Sequence, residues 1–210
     1  MDGTVLDLRF DNMFWLEALP RRWGERRGLT EQAALAQLKP RFDAKRGTLD
    51  WYCIDHWSEE LGFDIAALKA EMRGHVCYLP GALEFLDGVR AFGKRMLLTT
   101  NAHPISLGIK NLQTGLARHF DELVSSHDFG VPKESPEFWA RLARGHGIAV
   151  ESTLFVDDSR PVLEAARAAG VRWTYQVLQP DSTRPPHEAA TGFEGVRSLE
   201  ELLARERTSA

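Results

Sequence analysis

Apolar residues follow two different spacings along this chain. Over residues 9–74 they recur at helical intervals with short breaks, and no alternating apolar and polar run interrupts them. Phe10, Phe14, Trp15, Leu16 and Leu19 share one helical face, which the pattern ends near Pro20. Thr30 is placed to cap a helix over residues 31–38, Asp50 one over 51–61 closed by Gly62, and Asp64 one over 65–72. The sequence therefore predicts a block made only of helices.

After Leu79 the pattern changes. Pro80-Gly81 opens a helix through Phe85, Leu86 and Val89 that Gly93 ends, and the continuous apolar run at 96–100 predicts a buried strand. The alternation repeats: a helix around 107–112 closed by Gly115, a strand at 123–126, a helix at 136–144, a strand at 153–156, a helix at 161–169 stopped by Gly170, and a strand at 171–177. Residues 179–195, rich in Pro, Thr and Gly, predict a long surface loop, and 199–204 a terminal helix. Strands separated by single helices need crossover connections, so the expected fold class is α/β, a Rossmann-like doubly wound parallel sheet. The helical block then divides the chain into a discontinuous core, residues 1–8 and 81–210, and a helical cap, residues 9–80, over the strand ends where such sheets place ligands.

Composition narrows the partners. A chain of 210 residues can hold one core and a small accessory domain. The net charge of −4 and the dispersed basic residues predict no nucleic-acid surface. No apolar run approaches the roughly 18 residues of a membrane span, and the N-terminus lacks the form of a signal peptide. Cys53 and Cys77 are the two cysteines, which predicts two buried thiols, no disulfide framework and a reducing cytoplasm.

Residues just beyond parallel strands converge on one crevice, so the strand exits carry the candidate chemistry. The first exit holds Thr100-Asn101, a hydroxyl and an amide suited to phosphate oxygens or, equally, to capping the next helix. The second leads through Phe129-Gly130-Val131-Pro132 to Lys133, either a cation for a transferring phosphoryl group or an ordinary surface charge. The third ends in Asp157-Asp158, two adjacent carboxylates that suit an oxygen-liganded Mg2+ or the start of a helix. At the N-terminus, Asp2-Gly3-Thr4 fits either an acid/base carboxylate with its tight turn or a plain Asp-Gly turn.

In this order, Asp-Gly-Thr, Thr-Asn, Lys and Asp-Asp together are far more specific than any one of them. The chain resembles the haloacid dehalogenase superfamily of hydrolases across essentially its whole length, and residues 9–80 are similar to that superfamily's helical cap. Within it, the GMP/IMP nucleotidase family is the most similar. That likeness rests on residues 1–8, Phe10-Asp11-Asn12 with Phe14-Trp15, Thr48-Leu49-Asp50-Trp51-Tyr52-Cys53, Asn101-Ala102-His103-Pro104 and Phe129-Gly130-Val131-Pro132-Lys133-Glu134.

The resemblance implies a Mg2+-assisted phosphomonoester hydrolase working through an aspartyl-phosphate, with a purine nucleotide as its small-molecule substrate. Asp2 would be the acid/base and lend its carbonyl to the metal. Thr100 and Lys133 would act on the phosphoryl group, Asn101 would help bind it, and Asp157 with Asp158 would hold the metal. Asp2 also speaks against dehalogenation, which in this superfamily uses neither that acid nor the metal. The alternatives are a phosphatase for a sugar phosphate or phosphoglycolate, and a non-catalytic fold that binds a phosphorylated ligand or a protein. Trp15, Trp51, Tyr52 and Trp57 are candidates either to stack on a base or to form the cap's core, and His103 either to touch the nucleotide or to start a helix.

The superfamily's nucleophile stands two positions before Asp2, ahead of Met1, together with the first core strand. Losing about five buried apolar side chains, at about 1.5 to 3 kcal/mol each, exceeds the stability of most domains. The expectation is therefore a natural product that begins upstream, and poor phosphatase activity in residues 1–210 alone.

Overall fold

The computed structural model describes residues 1–208. Its first half is helical: α1 (Arg9–Met13), a π-helical turn (Phe14–Ala18), α2 (Leu19–Glu25), α3 (Glu31–Lys45), α4 (Leu49–Tyr52), α5 (Ile54–Leu61) and α6 (Ile65–Glu71). These helices share an apolar cluster that includes Phe14, Leu19, Trp23, Phe42, Trp57 and Leu61. Its aromatic rings meet edge to face, with Phe42 and Trp57 centroids 5.0 Å apart at 88°.

Several helix ends differ from expectation. Pro20 does not end the first helix. The widened π-turn delivers it to the first turn of α2, where a missing N–H costs nothing, and the helix runs on to Glu25. Leu16 faces solvent at 39% exposure rather than the core. The helix capped by Thr30, whose side chain accepts from the Ala33 N–H at 3.2 Å, passes through Pro40 and ends at Lys45. Asp50 caps nothing. It lies inside α4 and pairs with Lys45 at 2.7 Å, while the Cys53 sulfur accepts from the His56 N–H and starts α5. Asp64 caps α6 as expected.

The second half alternates α7 (Ala82–Ala91), β1 (Leu97–Thr100), α8 (Pro104–Thr114), β2 (Glu122–Ser125), α9 (Pro136–His146), β3 (Leu154–Asp157), α10 (Arg160–Ala168), β4 (Trp173–Val177), β5 (Glu194–Val196) and α11 (Glu201–Thr208). Among the described residues the named strands pair in parallel, in two sheets, β1-β2 and β3-β4-β5, and Leu6 makes an isolated antiparallel bridge to Tyr78. Residues 1–8 lie among them: Met1, Val5 and Leu6 share a core cluster with Leu98 of β1 and Val177 of β4. β5 falls at the end of the segment expected to be a loop. Only Val196 of its three residues is buried, too short a run to announce a strand. Cys53 is half-buried and Cys77 exposed, so the expectation of two buried thiols fails. Both are free. Among the described residues no helix is long and apolar enough to cross a membrane.

Candidate active site

β1 and β2 end in register, Thr100 opposite Ser125, and the side chains beyond them meet the end of β3 through Lys133. Thr100, the last residue of β1, is buried, and its Oγ1 accepts from the Ala102 N–H at 3.0 Å, which leaves the hydroxyl proton free for an acceptor in the crevice. Asn101 reaches across to the loop after β2. Its Oδ1 accepts from the Lys133 backbone N–H at 2.8 Å, and its Nδ2 donates to Glu134 at 2.9 Å. The amide therefore spends both ends positioning the lysine loop, and it also hydrogen-bonds the Tyr52 hydroxyl. Lys133 is 4% exposed. Its ammonium donates to Asp157 Oδ2 at 2.6 Å and to the Thr99 carbonyl at 3.4 Å. Asp157, the last residue of β3, is turned by a second bond, from the Ser159 N–H to Oδ1 at 2.9 Å.

Asp158 follows with a different balance. Burial, and then the charge of Asp157, push its carboxyl up to about 7. The first loop packs onto it: Gly3 adopts φ +69°, and a Cβ placed there would stand 2.6 Å from the Asp158 carboxyl carbon. Only glycine fits both the backbone and the contact. Two adjacent carboxylates, one of them costly to ionise and packed against the Gly3 turn, make an oxygen-only donor set. Such a set suits a hard divalent cation.

The Asp2 carboxylate turns the other way. It accepts from Lys110 of α8 at 2.6 Å, Lys110 reaches Asp11 of α1 at 2.5 Å, and Asp11 also pairs with Lys69 of α6 at 3.0 Å. Burial alone would raise the Asp11 carboxyl, but the two ammonium groups outweigh it and hold the carboxyl well below the usual carboxylate range. Lys110 is buried as well, which on its own lowers an ammonium, yet Asp11 and Asp2 hold it above its ordinary value. For Lys69 burial wins over Asp11 and the result is a lowering. Alternating charges thus run from the first loop into the helical half.

The structure brings Thr100, Asn101, Lys133, Asp157 and Asp158 together, and it sets Asp2 at the edge of that group with Lys110 as its partner. Sequence reasoning missed Lys110, Asp11, Lys69 and Glu134. The available signal was in α8, where polar Ser106 and Lys110 take the buried face while Ile105 and Leu112 lie outside. Tyr52 joins the site through its hydroxyl, which donates to Glu134 at 2.7 Å. Burial and then the Glu134 charge keep that phenol protonated. Trp57 is buried in the helical cluster, with Trp15 and Trp51 packed against it. A His103 ring nitrogen accepts from the Ile105 N–H at the start of α8.

The sequence profile of the haloacid dehalogenase-like hydrolases matches residues 1–170. A GMP/IMP nucleotidase of Escherichia coli (strain K12) is 44% identical over 182 residues, 87% of this chain and 82% of the relative. A phosphoserine phosphatase of Thermus thermophilus is 30% identical over 129 residues, 60% of this chain and 51% of that one. Among solved structures, a phosphatase from Thermococcus onnurineus superposes with a TM-score of 0.83 at 18% identity, covering 98% of this chain and 94% of its own. An L-2-haloacid dehalogenase of Xanthobacter autotrophicus gives 0.67 at 17% identity, with 99% and 96% covered. These two likenesses are of fold.

Proposed function

The chain belongs to the haloacid dehalogenase-like hydrolases, and from that premise we propose that it is a Mg2+-dependent phosphomonoesterase specific for purine nucleoside 5′-monophosphates, GMP and IMP foremost. The observation that carries the substrate is the 44% identity to a GMP/IMP nucleotidase over 87% of the chain. The site supports the reaction class. The free Thr100 hydroxyl and a remaining Lys133 N–H offer donors to phosphoryl oxygens in a setting where burial makes them strong. Asp2 gives a proton to the leaving 5′-oxygen and then takes one from the attacking water, with Lys110 holding its carboxylate in place. Asp158, Asp157 and the carbonyl of Asp2 would hold the metal, which when bound would offset phosphoryl charge.

In this proposal residues 1–8 and 81–210 form the catalytic core and 9–80 the cap, which shapes the nucleoside end. The Tyr52–Glu134–Asn101 hydrogen bonds give the cap a direct hold on the loop that carries Lys133. The cytoplasm, where both thiols stay reduced, is the compartment we assign.

The test is phosphate release with Mg2+ by the purified protein. The panel is GMP, IMP, AMP, CMP, phosphoglycolate and glucose 6-phosphate. GMP and IMP should lead in kcat/KM, and Asp2→Asn should abolish turnover. Preference for phosphoglycolate or the sugar phosphate refutes the nucleotide assignment. Saturable GMP binding without turnover of any ester refutes the enzyme.

A further inference from the structure

Beside the phosphate site lies a second group of ligating side chains that the reaction does not use. Cys53 stands in the break between α4 and α5, His103 at the start of α8, and His127 just beyond β2. One ligand atom from each lies within 4.8 Å of the other two. The two imidazoles are held edge to face, centroids 4.9 Å apart at 80°. The His127 ring hydrogen-bonds the Asn101 backbone, while its Nε2 is buried and has no partner. A buried ring nitrogen without a partner costs about 1–3 kcal/mol. A ring held by backbone on one side with a bare lone pair on the other is the arrangement metal-ligating histidines show.

We propose that Cys53, His103 and His127 bind a divalent cation of the zinc class and that this ion fastens the helical half to the strand-exit loops. The donor chemistry selects the ion. One thiolate and two imidazoles favour a borderline-soft metal over Mg2+, which takes oxygen ligands. Tetrahedral zinc bonds put such ligand pairs about 3.3–3.6 Å apart, so the three side chains draw in by about 1 Å. Binding forms one sulfur–metal and two nitrogen–metal bonds, releases the Cys53 thiol proton to solvent, and takes the single His103 lone pair that otherwise accepts from the Ile105 N–H. The fourth position falls to water or to Asp55, whose Oδ2 is 3.4 Å from His103 Nε2 and whose side chain is otherwise exposed. Cys53 and Asp55 belong to the helical half, whereas His103 and His127 sit on the loops around Asn101. A bound ion therefore restrains how far the helices can lift from the phosphate site. The site stands whether or not the chain hydrolyses nucleotides.

Cobalt(II) is the probe, added to the reduced 210-residue chain in excess Mg2+ so that oxygen-ligand sites are filled. One equivalent should bind with a sulfur-to-cobalt charge-transfer band and the strong visible absorption of a tetrahedral site, and zinc(II) should displace it. Cys53→Ser should remove the charge-transfer band and weaken binding at least tenfold, His127→Gln should weaken it at least tenfold, and Cys77→Ser should change nothing. In the unaltered chain zinc(II) should slow alkylation of Cys53 at least tenfold and leave Cys77 unaffected, a measurement that needs no variant to fold. Absence of the band at saturating cobalt(II), its survival in Cys53→Ser, or equal protection of both thiols overturns the proposal.

Discussion

Replacing Gly3 with alanine separates backbone strain from the contact that shapes the carboxylate pair. Gly3 and Gly28 have nearly the same backbone, φ +69° and +67°. At Gly28 an added Cβ meets nothing within 4 Å, so Gly28→Ala carries only the left-handed penalty of about 1–2 kcal/mol. At Gly3 the same methyl would stand 2.6 Å from Cγ and Oδ2 of Asp158. The Asp158 backbone cannot retreat easily, because Asp157 beside it is fixed by Lys133 and by the Ser159 N–H. The side chain must turn instead, at a further cost of about 0.5–1.5 kcal/mol. Gly3→Ala should therefore lose about 2–3 kcal/mol in urea unfolding and Gly28→Ala about 1–2. In the proposed site, a turned Asp158 would no longer face Mg2+. At a Mg2+ concentration a hundred times the parent dissociation constant, the parent gains about 2.7 kcal/mol of stability. A tenfold weaker site gains about 1.4 kcal/mol less. Thermal unfolding with and without Mg2+ reads this directly. Equal losses in the two variants, with equal Mg2+ stabilisation, would refute the assigned role of Asp158.

Other expectations follow from the same geometry. Lys110→Met leaves the Asp2 and Asp11 carboxylates facing an apolar chain and should cost about 3–5 kcal/mol in denaturant unfolding. Adding Asp11→Asn should cost less than the sum of the two single changes, and strict additivity would dismiss the coupling. Because Asp158 titrates at about 7, Mg2+ affinity should fall about tenfold per pH unit below that value and level off above it. Without the metal, this raised carboxyl makes folding less favourable as pH climbs from 3.8 towards 7, since the folded state keeps a proton the unfolded chain has released. Calorimetric Mg2+ titrations that are flat across pH 7 would count against both statements. Tyr52→Phe removes the hydroxyl bond to Glu134 and should raise KM for GMP about tenfold with a smaller change in kcat. An unchanged KM would show that the bond does not govern closure.

The parallel strands and the helices between them were legible because each buried strand is a short apolar run bounded by glycine or proline. Thr100, Lys133 and Asp157-Asp158 stood out because strand exits are few and each carried an unusual polar residue. Helix lengths in the first half were less legible: Pro20 read as a break and the Thr30-capped helix as ending at residue 38, yet a π-turn and the packing of Leu38 and Phe42 carry the chain further. β5 was hidden by brevity. The Asp2–Lys110–Asp11–Lys69 group could not be read from spacing, since its members come from the first loop and three separate helices and meet only after the two halves pack. In α8 the visible apolar residues even pointed the wrong way, because a buried lysine with two carboxylate partners imitates an exposed one in sequence.

That string of four charges also limits how such a protein can drift. It holds two acids and two bases, so it is neutral as a whole. Any single replacement by a neutral residue leaves an odd charge in the interior. Changes at residues 2, 11, 69 and 110 are therefore tolerated in compensating couples, one acid with one base. The Asp11–Lys69 couple is the one free to vary, because the proposed reaction commits Asp2 and the lysine that holds it. Relatives that have lost Asp11 should have lost Lys69 with it while keeping Lys110, a pattern of inheritance set by electrostatics.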